Sequence, residues 1–192
     1  MPRYVALLRA INVGGQNVVK MDQLRRLFEK AGFSGVETFI ASGNVIFESG
    51  AKNGAAVEKK IETTLRGALG WDVHTFLRTD QEIARIAVHP PFPPLKMNNA
   101  RALNVGFLKD PLNAAATRAL MAFTSDIDDF HIHQREIYWL CREGQSDSKF
   151  SNVKLEKSIG ACCTFRSIST VMKLAAKYPP PVTKRSDHRG DG

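Results

Sequence analysis

Along the first 78 residues the apolar positions switch period from element to element. Residues 4–12 are apolar on both alternating faces, with Val5, Leu7 and Ile11 on one and Ala6, Leu8 and Ala10 on the other. This predicts a strand covered on both sides of its sheet. Leu24, Leu27, Phe28 and Ala31 then recur at helical spacing, and Gly32 supplies the stop. Val36 to Ile40 and Val45 to Phe47 read as two short strands about Ser42-Gly43, a hairpin signal. Val57, Ile61, Leu65 and Leu69 mark a second helix, and Val73 to Leu77 a fourth strand. The order β-α-β-β-α-β is that of the ferredoxin-like unit.

The pattern then restarts. Thr79 with Glu82 forms a capping box that opens a connecting helix through about Val88, and His89-Pro-Pro-Phe-Pro-Pro-Leu95 breaks it as a stiff surface loop. Ala102 to Leu108 is a strand, and Asp110-Pro111 is expected to cap a helix bearing Leu112, Ala116, Leu120 and Phe123. Phe130 to Ile132 and Ile137 to Leu140 form a second hairpin. Laid against the first, Ile40 falls on Ile132 and Val45 on Ile137, as in an internal duplication. The second copy is expected to end in helices near 149–158 and 165–177 in place of a clear last strand. The fold class is therefore α+β, two tandem ferredoxin-like (βαββα-type) halves packed together with C-terminal helices. The halves are expected at 1–78 and 79–178, followed by a polar, disordered tail at 179–192.

Hydrophobic content of 43% and charged content of 24% belong to an ordinary globular protein. No run of 18 apolar residues predicts a membrane span, and the start lacks the pattern of a secretory signal. The odd cysteine count, Cys141, Cys162 and Cys163, is that of reduced thiols in a cytoplasmic protein. Net charge is +8, distributed as +4 over residues 1–78, −2 over 79–147 and +6 over 148–192. A basic last third predicts a localised positive surface, a feature that attracts nucleic acid or phosphorylated small molecules.

In a ferredoxin-like unit the end of the first strand, the start of the first helix and the tip of the hairpin lie along one edge. That edge gathers Arg9, Asn12, Gly14, Gly15, Asn17, Lys20, Ser42, Gly43 and Asn44. A glycine turn at a helix N-terminus offers main-chain N–H groups to an anion, and Arg9 or Lys20 would reinforce them. The expected function is binding of an anionic ligand, a nucleotide or nucleic acid, with Lys149 and Arg166 closing over the edge. The competing reading is an enzyme acting on a phosphorylated or carboxylated metabolite, with Arg9 and Lys20 as electrostatic stabilisers.

No G-x-x-x-x-G-K-[ST] or G-x-G-x-x-G pattern occurs, and no nucleophile elbow or kinase motif, so catalysis has no positive signal and no cofactor is expected. His131, His133 and Glu136 share one face of the second hairpin if its turn is Gln134-Arg135, but histidines on a solvated strand face are commonplace and no metal is assigned. Cys162-Cys163 lacks an activating base and reads as packing, not as a redox pair. An open base-stacking sheet is disfavoured because both faces of the central strands are buried. The stretch 149–157 with Arg166, Lys173 and Lys177 is the better nucleic-acid surface, and binding there would weaken steeply with salt. No protein partner is identifiable.

Leu8-Arg-Ala-Ile-Asn-Val-Gly-Gly15, Ser42-Gly-Asn-Val45, and Glu156-Lys157 ahead of Thr164-x-Arg166 and Thr170-Val-Met-Lys-Leu174 resemble the bacterial proteins catalogued as domain of unknown function 1697. The resemblance spans roughly residues 3–177. In that family the position held here by Ala10 is usually glycine, and the C-terminal motif usually reads Thr-x-Arg-Asn-Trp where Ser167 and Ile168 follow Arg166 here. The resemblance implies a two-part α/β architecture and brings no established activity.

Overall fold

A computed structural model describes residues 1–143, 148 and 150–181. The chain runs β1 (Arg3–Leu8), α1 (Met21–Lys30), β2 (Ser34–Phe39), β3 (Asn44–Glu48), α2 (Gly54–Leu69), β4 (Thr75–Thr79), α3 (Asp80–Val88), a short α4 (Pro94–Asn98), β5 (Ala102–Phe107), α5 (Ala114–Met121), β6 (Asp128–His133), β7 (Glu136–Cys141), α6 (Asn152–Ile159), β8 (Thr164–Ser167) and α7 (Ile168–Lys177). Two four-stranded antiparallel sheets result, ordered β2-β3-β1-β4 and β6-β7-β5-β8. The architecture is α+β with two similar halves. Of the tail expected at 179–192, residues 182–192 lie outside the described residues.

The alternation along β1 explains the layering. Tyr4, Ala6 and Leu8 enter an outer core with Leu24 and Phe28 of α1 and Val57, Ile61 and Leu65 of α2. Val5 and Leu7 point the other way, into a central core shared with Val105, Phe107 and Tyr138 of the second sheet. A third core joins Ile137 and Trp139 of that sheet to Leu120 of α5 and Leu155 of α6. The inner faces of the sheets thus share one core, into which Ile83 and Ile86 of α3 and Val171 and Leu174 of α7 also pack. Burying each such side chain removes apolar area from water worth about 1.5–3 kcal/mol.

The two halves repeat in register as well as in order. Val5 pairs with Arg78 between β1 and β4, and Val105 pairs with Arg166 between β5 and β8. Leu7 pairs with Asn44, and Phe107 with Glu136. Arg78 and Arg166 are therefore equivalent, as are Asn44 and Glu136. Each final strand runs straight into a helix capped by a hydroxyl, Thr79 for α3 and Ser167 for α7.

Three expectations are corrected here. The second half does have its last strand: residues 164–167 pair with β5, where a helix from 165 was expected. Four residues carry too little alternation to reveal a strand, and the helical spacing of α7 begins at its last residue. The hairpin alignment fails at Ile40, which lies in a four-residue turn between Phe39 and Asn44, whereas Gln134-Arg135 alone join β6 to β7. Finally, α5 is capped by Asn113, whose side chain accepts from Ala116 N, and not by Asp110-Pro111.

Candidate functional site

Two arginines reach across between the halves from equivalent places. Arg78 donates from Nε to Glu136 Oε1 at 2.7 Å and from Nη2 to the carbonyls of Leu108 and Arg135 at 2.8 and 3.1 Å. Arg166 donates from Nε to Asn44 Oδ1 at 2.7 Å and from Nη2 to the carbonyls of Leu8 and Ser42 at 2.9 and 2.8 Å. Its Nη1 is taken by Thr164 Oγ1 and Phe165 O, both at 2.9 Å. Two ion pairs repeat the exchange: Arg9 grips Glu156 through both carboxylate oxygens at 2.8 and 2.6 Å, and Lys109 meets Glu62 at 2.7 Å. Glu156 and Glu62 also accept a main-chain amide each, from Cys163 and Thr75.

The clasps differ in charge. Arg78 faces a carboxylate; Arg166 faces only neutral groups, an amide, a hydroxyl and carbonyls. Burial draws the Arg166 guanidinium down to about 10, so it keeps its charge at neutral pH. This uncompensated cation borders a cleft of about 500 Å³ lined by Leu8, Arg9, Ile40, Ser42, Asn152, Ser167 and Thr170 among others, none of them acidic. Ser167 and Thr170 bring the N-terminus of α7 into the same wall, adding the positive end of a helix.

The equivalent cleft on the other side is lined by α2, β4 and the start of α3, and there Glu82 occupies the position that Thr170 holds here. Glu82 completes a capping box with Thr79, accepting from its N–H at 2.7 Å, and binds Arg135 at 2.6 Å. Those bonds hold its carboxyl below the usual range despite burial. In that cleft the helix N-terminus is already occupied by an anion from the protein's own chain.

The residues singled out in the sequence sort by position. Arg9, Ser42 and Arg166 line the cleft. Asn12 pins its wall, with Nδ2 donating to Val19 O and Ala41 O and Oδ1 accepting from Val19 N. Asn44 is fully buried, donating to Phe39 O and Ser42 Oγ while accepting from Arg166. Asn12 and the hairpin tip therefore do share one edge. Gly14 and Gly15, at φ of 59° and 74°, and Lys20 are exposed and do not line the cleft. Lys149 lies outside the described residues. Two expectations about Arg166 are corrected: its segment pairs with β5, and its side chain turns inward with every donor used, so it is neither a closing flap nor part of a nucleic-acid surface.

Asn152, Phe165, Ser167 and Thr170 were not among the expected site residues, although Asn152 falls in the basic stretch and Ser167 and Thr170 in the resembled motifs. Ser167-x-x-Thr170 is the counterpart of the Thr79-x-x-Glu82 capping box, and that spacing was the available signal.

The family described as "Protein of unknown function (DUF1697)" matches residues 1–138 of the chain. The chain belongs to this family. The matched stretch ends before the motifs at 156–174. The solved structure of conserved bacterial protein SP0830 from Streptococcus pneumoniae is similar, with a TM-score of 0.74 and 23% identity over 93% of this chain and 98% of that one. That likeness concerns the fold. No protein with a curated description matches.

The remaining constellations of this family member are less suited to chemistry. Glu136, proposed beside His131 and His133, is held by Arg78, and no group of three or more His, Cys, Asp or Glu among the described residues is placed to hold a metal ion. His89 instead stacks on His133 with ring centres 4.1 Å apart and brings its Nε2 to 3.4 Å from that of His131. Burial first, and then repulsion from His133, lower the pKa of His89 and His131. Cys163 is buried against Asn152 Oδ1 at 2.9 Å, and burial beside Glu156 raises its thiol pKa, which suits packing and not nucleophilic attack. Among the described residues, no helix is long and apolar enough to cross a membrane.

Proposed function

We propose that the protein binds the phosphate of a small anionic ligand, a nucleotide, in the cleft between Arg9 and the N-terminus of α7. One observation carries the reading: where the opposite cleft holds its own Glu82 carboxylate at a helix N-terminus, this cleft has Thr170, and its buried Arg166 has Asn44 where Arg78 has Glu136. A helix N-terminus and an uncompensated guanidinium form an anion site from which the internal anion has been removed. Arg166 acts through its charge, because its donors are used. Arg9, through the donors that its pair with Glu156 leaves over, and the amides at the start of α7 make the contacts. A cleft of about 500 Å³ suits a mononucleotide better than a strand of nucleic acid. The reduced state of Cys162 and Cys163 fits a cytoplasmic setting for this activity.

Calorimetric titration with adenosine monophosphate tests the reading. Thr170→Glu recreates the opposite side's capping box, so the variant folds and its carboxylate fills the site; affinity is expected to fall at least tenfold, about 1.4 kcal/mol. Asn44→Asp, which neutralises Arg166, and Arg9→Ala weaken binding in the same direction. Undiminished affinity in Thr170→Glu and Asn44→Asp overturns the proposal. Binding of oligonucleotides with a steep salt dependence, and not of the mononucleotide, would move the function to nucleic acid.

A further inference from the structure

The opposite cleft has an unmet demand of its own. It is larger, about 670 Å³, and its Lys109 and Arg135 are neutralised by Glu62 and Glu82 at 2.7 and 2.6 Å. Besides the exposed Asp110, three of its charged groups have no ion-pair partner among the described residues. Glu58 is 6% exposed, accepts the Leu77 amide on Oε1 at 2.9 Å, and has no cation of the described residues within ion-pair distance. Lys52 and Lys59 stand exposed at the margin and pair with no described carboxylate. Burial raises the Glu58 carboxyl above its ordinary value, against the pull of the Leu77 amide and of Lys109 and Arg135.

The fold does not require a carboxylate at this place. Glu62 and Glu156 correspond, accepting the amides of Thr75 at the start of β4 and of Cys163 just before β8, and one helical turn earlier Glu58 corresponds to Asn152. A neutral amide serves there, with Nδ2 donating to Cys163 O at 3.2 Å. A buried carboxyl without a cation lowers stability, so its presence at the floor of this cleft is a feature of a site and not of the scaffold.

We propose that this cleft is a second binding site, specific for a small zwitterion whose ammonium donates to Glu58 and whose carboxylate or phosphate faces Lys52 and Lys59. A simple anion is disfavoured by three glutamates at the floor, and a simple cation by Lys109, Arg135 and the marginal lysines. Only a ligand carrying both signs in order satisfies Glu58 and the margin together. The site is separate from the Thr170 cleft and does not depend on its occupancy.

Amide-resolved NMR of the full chain tests this with four probes: β-alanine, O-phosphoethanolamine, ethylamine and inorganic phosphate. At least one zwitterion is expected to shift the Leu77 amide saturably, while ethylamine and phosphate leave it in place at equal concentration. The two zwitterions distinguish a carboxylate from a phosphate as the outer group. Glu58→Gln is expected to weaken the bound zwitterion at least tenfold, whereas Thr170→Glu leaves that affinity unchanged. Because Glu58→Gln alters a buried group, the exposed pair Lys52→Ala with Lys59→Ala provides a second readout, expected to weaken binding at least threefold. A Leu77 amide indifferent to both zwitterions overturns the proposal, as does full affinity in Glu58→Gln or in the lysine pair.

Discussion

Ala10 and Ile40 both line the Thr170 cleft and both stand in the left-handed region, at φ of 58° and 50°. For a residue with a Cβ this conformation costs about 1–2 kcal/mol, and a β-branched chain bears it worst. Such strain is retained at ligand sites when the surrounding structure fixes it. Here Asn12, donating to Ala41 O, and Arg166, donating to Ser42 O, hold the hairpin turn that contains Ile40. Ile40→Gly is therefore expected to raise unfolding stability by about 1 kcal/mol in urea titration. A loss of stability would show that the 51% exposed isoleucine contributes packing that outweighs its strain. The left-handed φ of Ala10 also gives the physical reason for the glycine usual at that position in the resembled family.

Among elements, β8 is the most instructive. Gly106 on β5 leaves the space that the Phe165 ring fills: a Cβ added there would come within 2.6 Å of it. Gly106→Ala is expected to cost about 1–3 kcal/mol by overpacking, and Phe165→Leu in the same chain to recover part of it, measured by thermal melting. If Gly106→Ala is neutral, the β5–β8 contact is looser than described. The sequence shows elements whose signals are local. β1 is apolar on both faces because a core lies on each, and the Thr79–Glu82 box opens α3 as its spacing requires. β8 is hidden because it spans four residues and Ser167 belongs to both strand and helix. The candidate edge was legible because its turns are local. The role of Arg166 was not, since its partners Leu8, Ser42 and Asn44 lie more than 120 residues away in sequence.

At the scale of the whole molecule, the halves are joined by exchanged arginines around a shared core. Glu136→Ala leaves the Arg78 charge buried without its counter-ion and is expected to cost about 3–5 kcal/mol by denaturant unfolding. A cost below about 1 kcal/mol would mean that the carbonyls of Leu108 and Arg135 suffice. His89 and His131, packed with His133, Phe92 and Tyr138 at the edge of that core, make stability sensitive to acid. The folded state holds its His89 and His131 pKa values below the ordinary 6.5, so it binds fewer protons than the unfolded chain. Stability is thus lost as pH falls below about 6.5 and is complete above it. Melting temperature should drop between pH 7 and pH 5, and less so in His89→Gln.

The same duplication that joins the halves left one cleft with its internal carboxylate and the other without. An anomalous difference map from a crystal soaked in selenate tests that asymmetry directly. The account predicts a peak between the Arg9 guanidinium and the first amides of α7, with none at the equivalent place beside Glu82. A peak beside Glu82 and an empty Thr170 cleft would contradict it.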